Sequence, residues 1–288
     1  MARVWPGLRA ALRRHFPDAE EHWTTRPGEA TDIARQAAAR GVRRLLAVGG
    51  DGTLHEVVNG LAGSSVAVAP LPLGTGNDFA RAAGLWRPIP ELLAALADGA
   101  PRPVDLGSVH GRYFLNVAGV GFDARVAEIV NAMAQKPRGT LPYLLTAVRT
   151  AWTYLPPVLT LAFDDGPPAA PARQLLVAVA NSPGYGGWMR ICPPARIDDG
   201  VFHVLTVGDL RRWAILRLLP RVFSGRHLAD PRIAARPAVR LTIEGPSEVA
   251  VHADGEVVGG LPARFAVHPG HLLLWAPRAS APPARGAD

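Results

Sequence analysis

The chain has 288 residues, 48% of them hydrophobic, and a formal net charge of +7 at pH 7. This length is enough to bury a large core and to form two domains. No apolar run reaches the ~18–20 residues of a membrane span, and the opening residues lack a signal-peptide pattern. The single cysteine, Cys192, excludes an internal disulfide framework and a multi-cysteine zinc site. These features predict a soluble, cytoplasmic protein.

Arginine supplies nearly all of the positive charge. Lys136 is the only lysine, so 30 of the 31 basic residues are arginine. A positive excess suits anionic partners such as nucleotides or acidic lipid headgroups. We predict no nucleic-acid partner, because the sequence has no helix-turn-helix signature, no zinc finger and no basic stripe interleaved with aromatic residues.

In the first hundred residues, helical and strand patterns alternate. The spacing of apolar residues predicts, in order, a helix over 30–42, a strand over 43–48, a helix over 54–61, a strand over 65–73 and a helix over 90–100. Strands that alternate with helices indicate a parallel sheet in an α/β domain.

After about residue 103 the sequence becomes rich in strand patterns. Predicted strands follow at 104–109, 113–119, 159–164, 175–182, 201–208, 238–245, 248–256, 263–270 and 271–277, with helices near 124–134, 142–154 and 209–223. We therefore expect an α/β domain over 1–103, a mainly β domain over 104–277 and a disordered Pro/Ala/Arg-rich tail over 278–288.

A glycine-rich segment, "GGDGT" at 49–53, joins the end of a predicted strand to the start of a predicted helix. The first turn of a helix has unpaired N–H groups and the positive end of the helix dipole, so such a segment can bind phosphate. It can equally be a βα turn with Asp51 or Thr53 as the N-cap. It is not a Walker loop, because that motif needs a lysine.

A second segment of the same kind, "PLGTGNDFAR" at 72–81, follows the next predicted strand. Successive strands of one parallel sheet end at the same edge, where open α/β sheets bind their ligands. Two such loops side by side favour a nucleotide-phosphate site over two ordinary turns. A third segment, "GVGFDA" at 119–124, matches the dinucleotide fingerprint, but no carboxylate follows at the required distance, so we interpret it as a chance match.

Two carboxylate pairs in the strand-rich half are candidates for chemistry. Asp198 and Asp199 precede a glycine, which suits either a hard cation or a solvated β-turn. Asp254 and Glu256 flank another glycine between strands, which suits either catalysis or a hairpin turn. The residue types and their spacing leave both questions open.

Five blocks together resemble the diacylglycerol kinase-like lipid kinases, the bacterial relatives of diacylglycerol and sphingosine kinases. They are "GGDGTLHEVVNGL", "PLGTGNDFAR", "NVAGVGFDARV", "NSPGYGGWMRICPPARIDDGVF" and "DGE", in the family's order and spacing. The resemblance implies an N-terminal three-layer α/β nucleotide domain, of the kind found in NAD kinases and diacylglycerol kinases, followed by a C-terminal β-sandwich. The active site is then expected in the cleft between the two domains.

The resemblance also implies site residues. ATP is expected at the two glycine-rich loops and one upstream threonine, namely Thr24, Gly49, Gly50, Asp51, Gly52, Thr53, Gly74, Thr75, Asn77 and Asp78. Asp51, Asp254 and Glu256 are the implied catalytic carboxylates. Either Asp254 or Glu256 is expected to accept the proton of the lipid hydroxyl, and Glu256 aligns better with the family's proton acceptor.

Magnesium is the implied metal, both with ATP and at a structural site. Asp199 matches the family's structural ligand, with the carbonyl groups of Arg196 and Val201 as companions. His203 stands where many members have an aspartate. The family also begins with a strand and an Asn-Pro-x-Ser-Gly-like loop, whereas this sequence starts at the segment that resembles the following helix. The favoured explanation is a start codon assigned too late; the other is loss of the strand.

The expected function is transfer of the γ-phosphate of ATP to a hydroxyl of a diacylglycerol-like or sphingoid lipid. The alternatives are an NAD-kinase-like enzyme with a soluble acceptor and a non-catalytic nucleotide- or lipid-binding regulator. The expected partners are ATP and a lipid presented at the inner face of the membrane, with a homodimer as a further possibility. Two apolar, Arg-bearing segments, 141–157 and 210–227, suit contact with an anionic bilayer or ordinary helix packing.

Overall fold

The computed structural model describes residues 5–133, 140–187 and 189–278. Nearly all of the predicted 278–288 tail lies outside these residues. The first half contains helices α1 (Trp5–His15), α2 (Glu29–Ala39), α3 (Asp51–Leu61), α4 (Asp78–Ala82) and α5 (Ile89–Ala97), and strands β1 (Arg44–Gly49), β2 (Ala67–Pro72) and β3 (Ala100–Val109). These elements agree with the alternating pattern of the sequence.

The second half contains ten further strands and three further helices among the described residues. The strands are β4 (Arg112–Phe114), β5 (Val117–Gly121), β6 (Val158–Phe163), β7 (Ala172–Ala180), β8 (Phe202–Gly208), β9 (Ile233–Ala238), β10 (Arg240–Glu244), β11 (Ala250–Ala253), β12 (Glu256–Gly260) and β13 (Ala263–Ala276). The helices are α6 (Phe122–Asn131), α7 (Thr140–Thr150) and α8 (Arg212–Ser224), with a 3₁₀ turn at Arg226–Ala229.

The N-terminal sheet has the order β1-β2-β13-β3. Strands β1 and β2 are parallel, and β2 pairs in parallel with Leu273 and Leu274 of β13. Helix α2 packs against α3 and α1 against α5. Strand β2 is buried along nearly its whole length, as expected for a strand covered by helices on both faces. The predicted parallel sheet is present, but its third parallel strand comes from the far end of the chain.

Strand β13 was expected as two strands, because the Pro269-Gly270 pair is typical of a turn. The structure instead has one bent strand, with a register shift between His268 and Leu272. The buried carboxylate of Asp105 holds the bend, since it accepts N–H bonds from Gly270 at 2.8 Å and from Gly200 at 2.7 Å. The bend lets one strand serve both halves of the molecule.

The β-sandwich consists of two layers. One contains β3, β13, β10 and β6, and the other contains β12, β11, β5, β7, β8 and β9. Apolar side chains from both layers fill the space between them, and Phe114 stacks on Phe202 with ring centroids 5.6 Å apart. Helices α6, α7 and α8 supply a separate apolar cluster against β5, β7 and β8. Strands β9 and β12 were not predicted from the sequence.

Candidate active site

The two glycine-rich loops lie side by side at the carboxyl ends of β1 and β2. The N–H of Leu73 donates to the carbonyl of Gly49 at 2.9 Å. Gly50 and Gly74 approach so closely that a Cβ on Gly74 would lie 2.5 Å from the Cα of Gly50, which is a steric clash. Gly74 therefore accepts no larger residue without moving the backbone, and a Cβ on Gly50 would make a tight contact of 3.1 Å with the Cα of Gly74.

The start of α3 is left open for a ligand. Its N-cap is Gly50, which has no side chain to bond the first N–H groups of the helix. Unbonded N–H groups at a helix N-terminus bind anions such as phosphate. Thr53 lies against Gly49. Asp51 and Gly52, which were also predicted to contact the nucleotide, lie in the first turn of α3.

Asp51 ties the first loop to the second. Its carboxylate accepts the N–H of Asn77 at 2.7 Å. Asn77 has a left-handed backbone (φ 54°), and its side-chain amide bonds both the N–H and the carbonyl of Gly74. Asp78 accepts the N–H of Gly187 from the sandwich half at 3.1 Å. The second loop therefore connects the two halves of the molecule.

The carboxyl group of Asp51 is difficult to ionise. Burial, followed by the negative charge of Asp78, raises its pKa to about 6, against 3.8 for an ordinary aspartate. The charge of Asp78 opposes ionisation of Asp51, and a bound cation would offset the repulsion between the two carboxylates. The pair therefore fits a divalent metal that arrives with a nucleotide.

Helix α3 also reaches the opposite side of the cleft. His55, one turn after Asp51, lies with its Nδ1 3.2 Å from a carboxylate oxygen of Asp254, and both side chains are buried. Asn59, a further turn along, accepts the N–H of Tyr113 at 2.9 Å and donates to its carbonyl. The sequence reasoning missed His55 and Asn59. Their i, i+4, i+8 spacing from Asp51 was the signal, because it places three polar residues on one face of an apolar helix.

Asp254 holds the backbone around it. Its carboxylate accepts N–H bonds from Leu115 (2.8 Å), Asn116 (2.8 Å) and Val117 (3.2 Å), in addition to the contact with His55. Burial alone would raise the pKa of Asp254, but His55 and these amides outweigh burial and hold the pKa below its ordinary value. Burial likewise opposes the charge on His55, and Asp254 outweighs it and raises the pKa of His55.

The turn that contains Asp254, Gly255 and Glu256 is fixed from two further sides. The N–H of Gly255 donates to Nδ1 of His252 at 3.2 Å, and Asn131 donates to the carbonyl of Gly255 at 2.9 Å. Because Nδ1 of His252 is an acceptor, its Nε2 carries the proton that it donates to Asp123 at 2.9 Å. Asp123 thus belongs to the site, although the dinucleotide fingerprint around it is a chance match.

Glu256 differs from Asp254 in burial and in hydrogen bonding. It begins β12, and its side chain is exposed and forms no hydrogen bond or ion pair within the described residues. Its charge acts on His55 and on Tyr143 of α7, which places it between the nucleotide side of the cleft and the helical face of the sandwich. The geometry thus presents one exposed carboxylate on a rigid turn.

The remaining predicted residues take no part in the hydrogen bonds described above. Thr24 is exposed before α2 and forms no side-chain hydrogen bond within the described residues, and Thr75 is exposed at the tip of the second loop. Asp199 accepts the N–H of Val201 at 3.3 Å and lies 3.2 Å from Nε2 of His203. Arg196 pairs with Asp198.

The donor set around Asp199 is poor for a hard cation, because a single carboxylate faces an imidazole. In the described ranges, no three His, Cys, Asp or Glu residues converge to hold a metal. The structural metal site at Asp199 stays a prediction, and no step below depends on it. No helix in the described part of the chain is long and apolar enough to cross a membrane.

Two family models match the chain. The "Diacylglycerol kinase catalytic domain" matches residues 1–109, and the "YegS C-terminal NAD kinase beta sandwich-like domain" matches residues 116–276. The predicted fold class, an α/β domain followed by a β-sandwich, is confirmed.

Curated relatives extend over most of the chain. The Bacillus subtilis (strain 168) protein named "Diacylglycerol kinase" is 31% identical over 92% of this chain and 88% of its own. The Pseudomonas aeruginosa (strain UCBPP-PA14) protein named "Probable lipid kinase YegS-like" is 35% identical over 94% and 89%.

Solved structures agree with this assignment. A Bacillus anthracis str. Sterne protein assigned as a diacylglycerol kinase superposes with a TM-score of 0.76 at 27% identity, over 92% of this chain and 88% of its own. An Archaeoglobus fulgidus NAD kinase, solved with ATP, shares the fold with a TM-score of 0.54 at 13% identity, over 96% and 90%. Two adjacent glycine-rich loops, a fixed Asp-Gly-Glu turn and these similarities lead to one conclusion: the chain belongs to the diacylglycerol kinase-like lipid kinase family.

Proposed function

We propose that this protein is an ATP-dependent lipid kinase that phosphorylates a hydroxyl of a diacylglycerol-like or sphingoid lipid at a membrane surface. The observation that carries the proposal is the division of labour between two neighbouring carboxylates. Asp254 is buried and saturated with hydrogen bonds, whereas Glu256 is exposed on the turn that Asp254 fixes. This arrangement supplies a positioned proton acceptor opposite a phosphate-binding loop.

The chain's own residues have distinct tasks in this reaction. The first N–H groups of α3 and the backbone around Gly50 and Gly74 hold the phosphates of ATP. Asp51 and Asp78 would hold the Mg²⁺ that accompanies ATP, and that ion would neutralise charge on the transferred phosphoryl group. Glu256 takes the proton of the lipid hydroxyl as that oxygen bonds to the γ-phosphorus of ATP, while the bond between the γ-phosphorus and the β-phosphate oxygen breaks and ADP leaves.

A phosphotransfer assay tests the proposal. Radiolabelled ATP and Mg²⁺ are incubated with the protein and with diacylglycerol, sphingosine or NAD, and the label is separated by solubility. We expect label in a lipid product, and we expect Glu256→Gln to abolish it. The matched control is Glu248→Gln, because Glu248 is also an exposed sandwich glutamate and has no ion pair in the described part of the chain. Label in the NAD fraction alone would establish the soluble-acceptor alternative.

A binding measurement separates the third possibility. Protection against thermal unfolding by ATP and Mg²⁺, together with transfer to no acceptor in the panel, would identify a nucleotide-binding regulator and refute the kinase proposal. The proposed kinase requires both nucleotide binding and transfer to a lipid.

A further inference from the structure

The segment of helix α7 exposes four large apolar side chains, while Tyr143 and Leu144 are half-buried and its fully buried positions are small. The buried positions are Thr146, Ala147, Thr150 and, just beyond the helix, Ala151. Leu141, Leu145, Val148 and Trp152 are 64%, 61%, 36% and 41% exposed. Their spacing of four, three and four residues places them on one stripe. A helix that only covers a core has the opposite distribution, with its large apolar residues facing inward.

The stripe continues onto α8. Trp152 and Trp213 meet edge to face with ring centroids 5.1 Å apart, although Trp213 is 65% exposed. Leu155, which follows α7, is 77% exposed. We call this surface the α7 face: Leu141, Leu145, Val148, Trp152 and Trp213. Exposed tryptophans beside exposed leucines are typical of proteins that enter the interfacial region of a bilayer.

The two segments that carry the α7 face have only positive charges. Residues 140–155 and 211–224 contain no aspartate or glutamate, and their five charged residues are Arg149, Arg211, Arg212, Arg217 and Arg221. All five are exposed, and none forms an ion pair within the described residues. Arginines that border an apolar stripe match a surface of anionic lipid headgroups, whose attraction adds to the burial of apolar side chains.

The α7 face is also connected to the candidate active site. Tyr143 lies on α7, is partly buried, and has its pKa raised by burial and by the charge of Glu256. Helix α7 packs on α6, and Asn131 of α6 bonds the carbonyl of Gly255 beside Glu256. A bilayer against the α7 face would therefore lie on the side of the molecule from which a lipid hydroxyl reaches Glu256.

We propose that the α7 face is the surface by which the protein docks on an anionic bilayer. The biological role of this docking rests on the proposed function, whereas docking itself is measured without catalysis. Leu145 and Trp152 enter the interface, and the bordering arginines contact the headgroups. The partner is a lipid surface and not a second copy of the chain, because five like charges around the stripe oppose its pairing with itself.

Vesicle co-sedimentation tests the docking. The wild-type protein is expected to bind phosphatidylcholine vesicles that contain phosphatidylglycerol, and to bind vesicles of phosphatidylcholine alone at least about tenfold more weakly. Val148→Glu and Leu145→Glu are each expected to weaken binding to the anionic vesicles about tenfold or more, because an apolar contact is replaced by a repelled charge. The matched control is Val239→Glu, because Val239 is 39% exposed on the sandwich and outside the α7 face.

Three results would overturn the proposal. They are wild-type binding that does not depend on anionic lipid, equal weakening by Val239→Glu, or a dimer in solution that Val148→Glu converts to a monomer. Activity is a second readout: the ratio of turnover on vesicle-embedded lipid to turnover on a dispersed short-chain lipid should fall at least tenfold in Leu145→Glu. A wild-type protein that binds anionic vesicles but phosphorylates neither substrate would refute the proposed function and leave the docking intact.

Discussion

Asp254 and Glu256 stand two residues apart, and we predict that removing the charge of Asp254 destabilises the fold strongly whereas removing that of Glu256 leaves stability nearly unchanged. In Asp254→Asn, one oxygen of the carboxylate becomes an NH₂ group that faces N–H donors. In the wild type, the carboxylate of Asp254 accepts four contacts. Oδ1 accepts from Asn116 and Val117, and Oδ2 accepts from Leu115 and His55. The substitution leaves two of these donors without an acceptor in a buried site.

The magnitude follows from these contacts. A hydrogen bond to a charged group contributes about 1.5–3 kcal/mol, and breaking a buried ion pair costs about 3–5 kcal/mol. We therefore expect Asp254→Asn to lower the free energy of unfolding by about 3–5 kcal/mol. Glu256 is exposed and has no partner within the described chain, so Glu256→Gln should change it by no more than about 0.5 kcal/mol. Both variants should lose phosphotransfer.

Urea unfolding followed by circular dichroism measures the difference. The midpoint of Asp254→Asn should shift to clearly lower urea, while that of Glu256→Gln coincides with the wild type at the same slope. An Asp254→Asn protein as stable as the wild type would refute the structural role of this carboxylate. An equally large loss in Glu256→Gln would show that Glu256 is also part of the folding network and would remove the distinction on which the proposed mechanism depends.

Two further predictions concern the nucleotide loops. The pKa of Asp51 is raised from 3.8 to about 6, so its ionisation in the folded protein costs up to about 3 kcal/mol above pH 6, a cost that fades as the pH falls toward 4. In urea titrations, Asp51→Asn should therefore be more stable than the wild type at pH 7.5 and lose that advantage by pH 4, although it is inactive. Gly74→Ala should lose thermal protection by ATP and be destabilised by about 1–3 kcal/mol, because its Cβ overlaps Gly50.

Each of these has a control. Gly7→Ala adds a methyl group to α1 where no atom lies within 4 Å, so it should keep full protection by ATP. If Gly74→Ala binds ATP as well as Gly7→Ala does, the two loops do not form one phosphate site. A stability advantage of Asp51→Asn that is the same at pH 4 and pH 7.5 would contradict the raised pKa.

The sequence was sufficient to predict the structural elements that have a strong local pattern of residues. The end of β1, the start of α3 and the second glycine-rich loop were all predicted, because glycines and a change of hydrophobic period mark them within a few residues. The resemblance to a family then brought the distant Asp254 and Glu256 into the same site. Spacing alone could not do so, since Asp254 and Glu256 lie 203 and 205 positions after Asp51 (254 − 51 and 256 − 51).

What the sequence could not reveal depends on contacts between distant segments. The role of Asp105 is to bond the N–H groups of Gly200 and Gly270, and nothing near it in the sequence indicates those partners. The outward orientation of Leu145 and Trp152 depends on which face of α7 meets the sandwich. A helical period predicts a helix, but it does not say which side the protein covers.

Strand β13 has a consequence for how the protein forms during synthesis. Leu273 and Leu274 complete the sheet of the N-terminal half by pairing with β2, yet they are translated after all the other strands of the sandwich. On the ribosome, β2 therefore waits with one edge unpaired while the strands that follow emerge. The N-terminal half should consequently be unstable as a separate fragment, and supplying residues 263–276 as a peptide should restore it. Because β13 pairs with strands of both halves, we expect the two halves to complete folding together, after synthesis of the last strand.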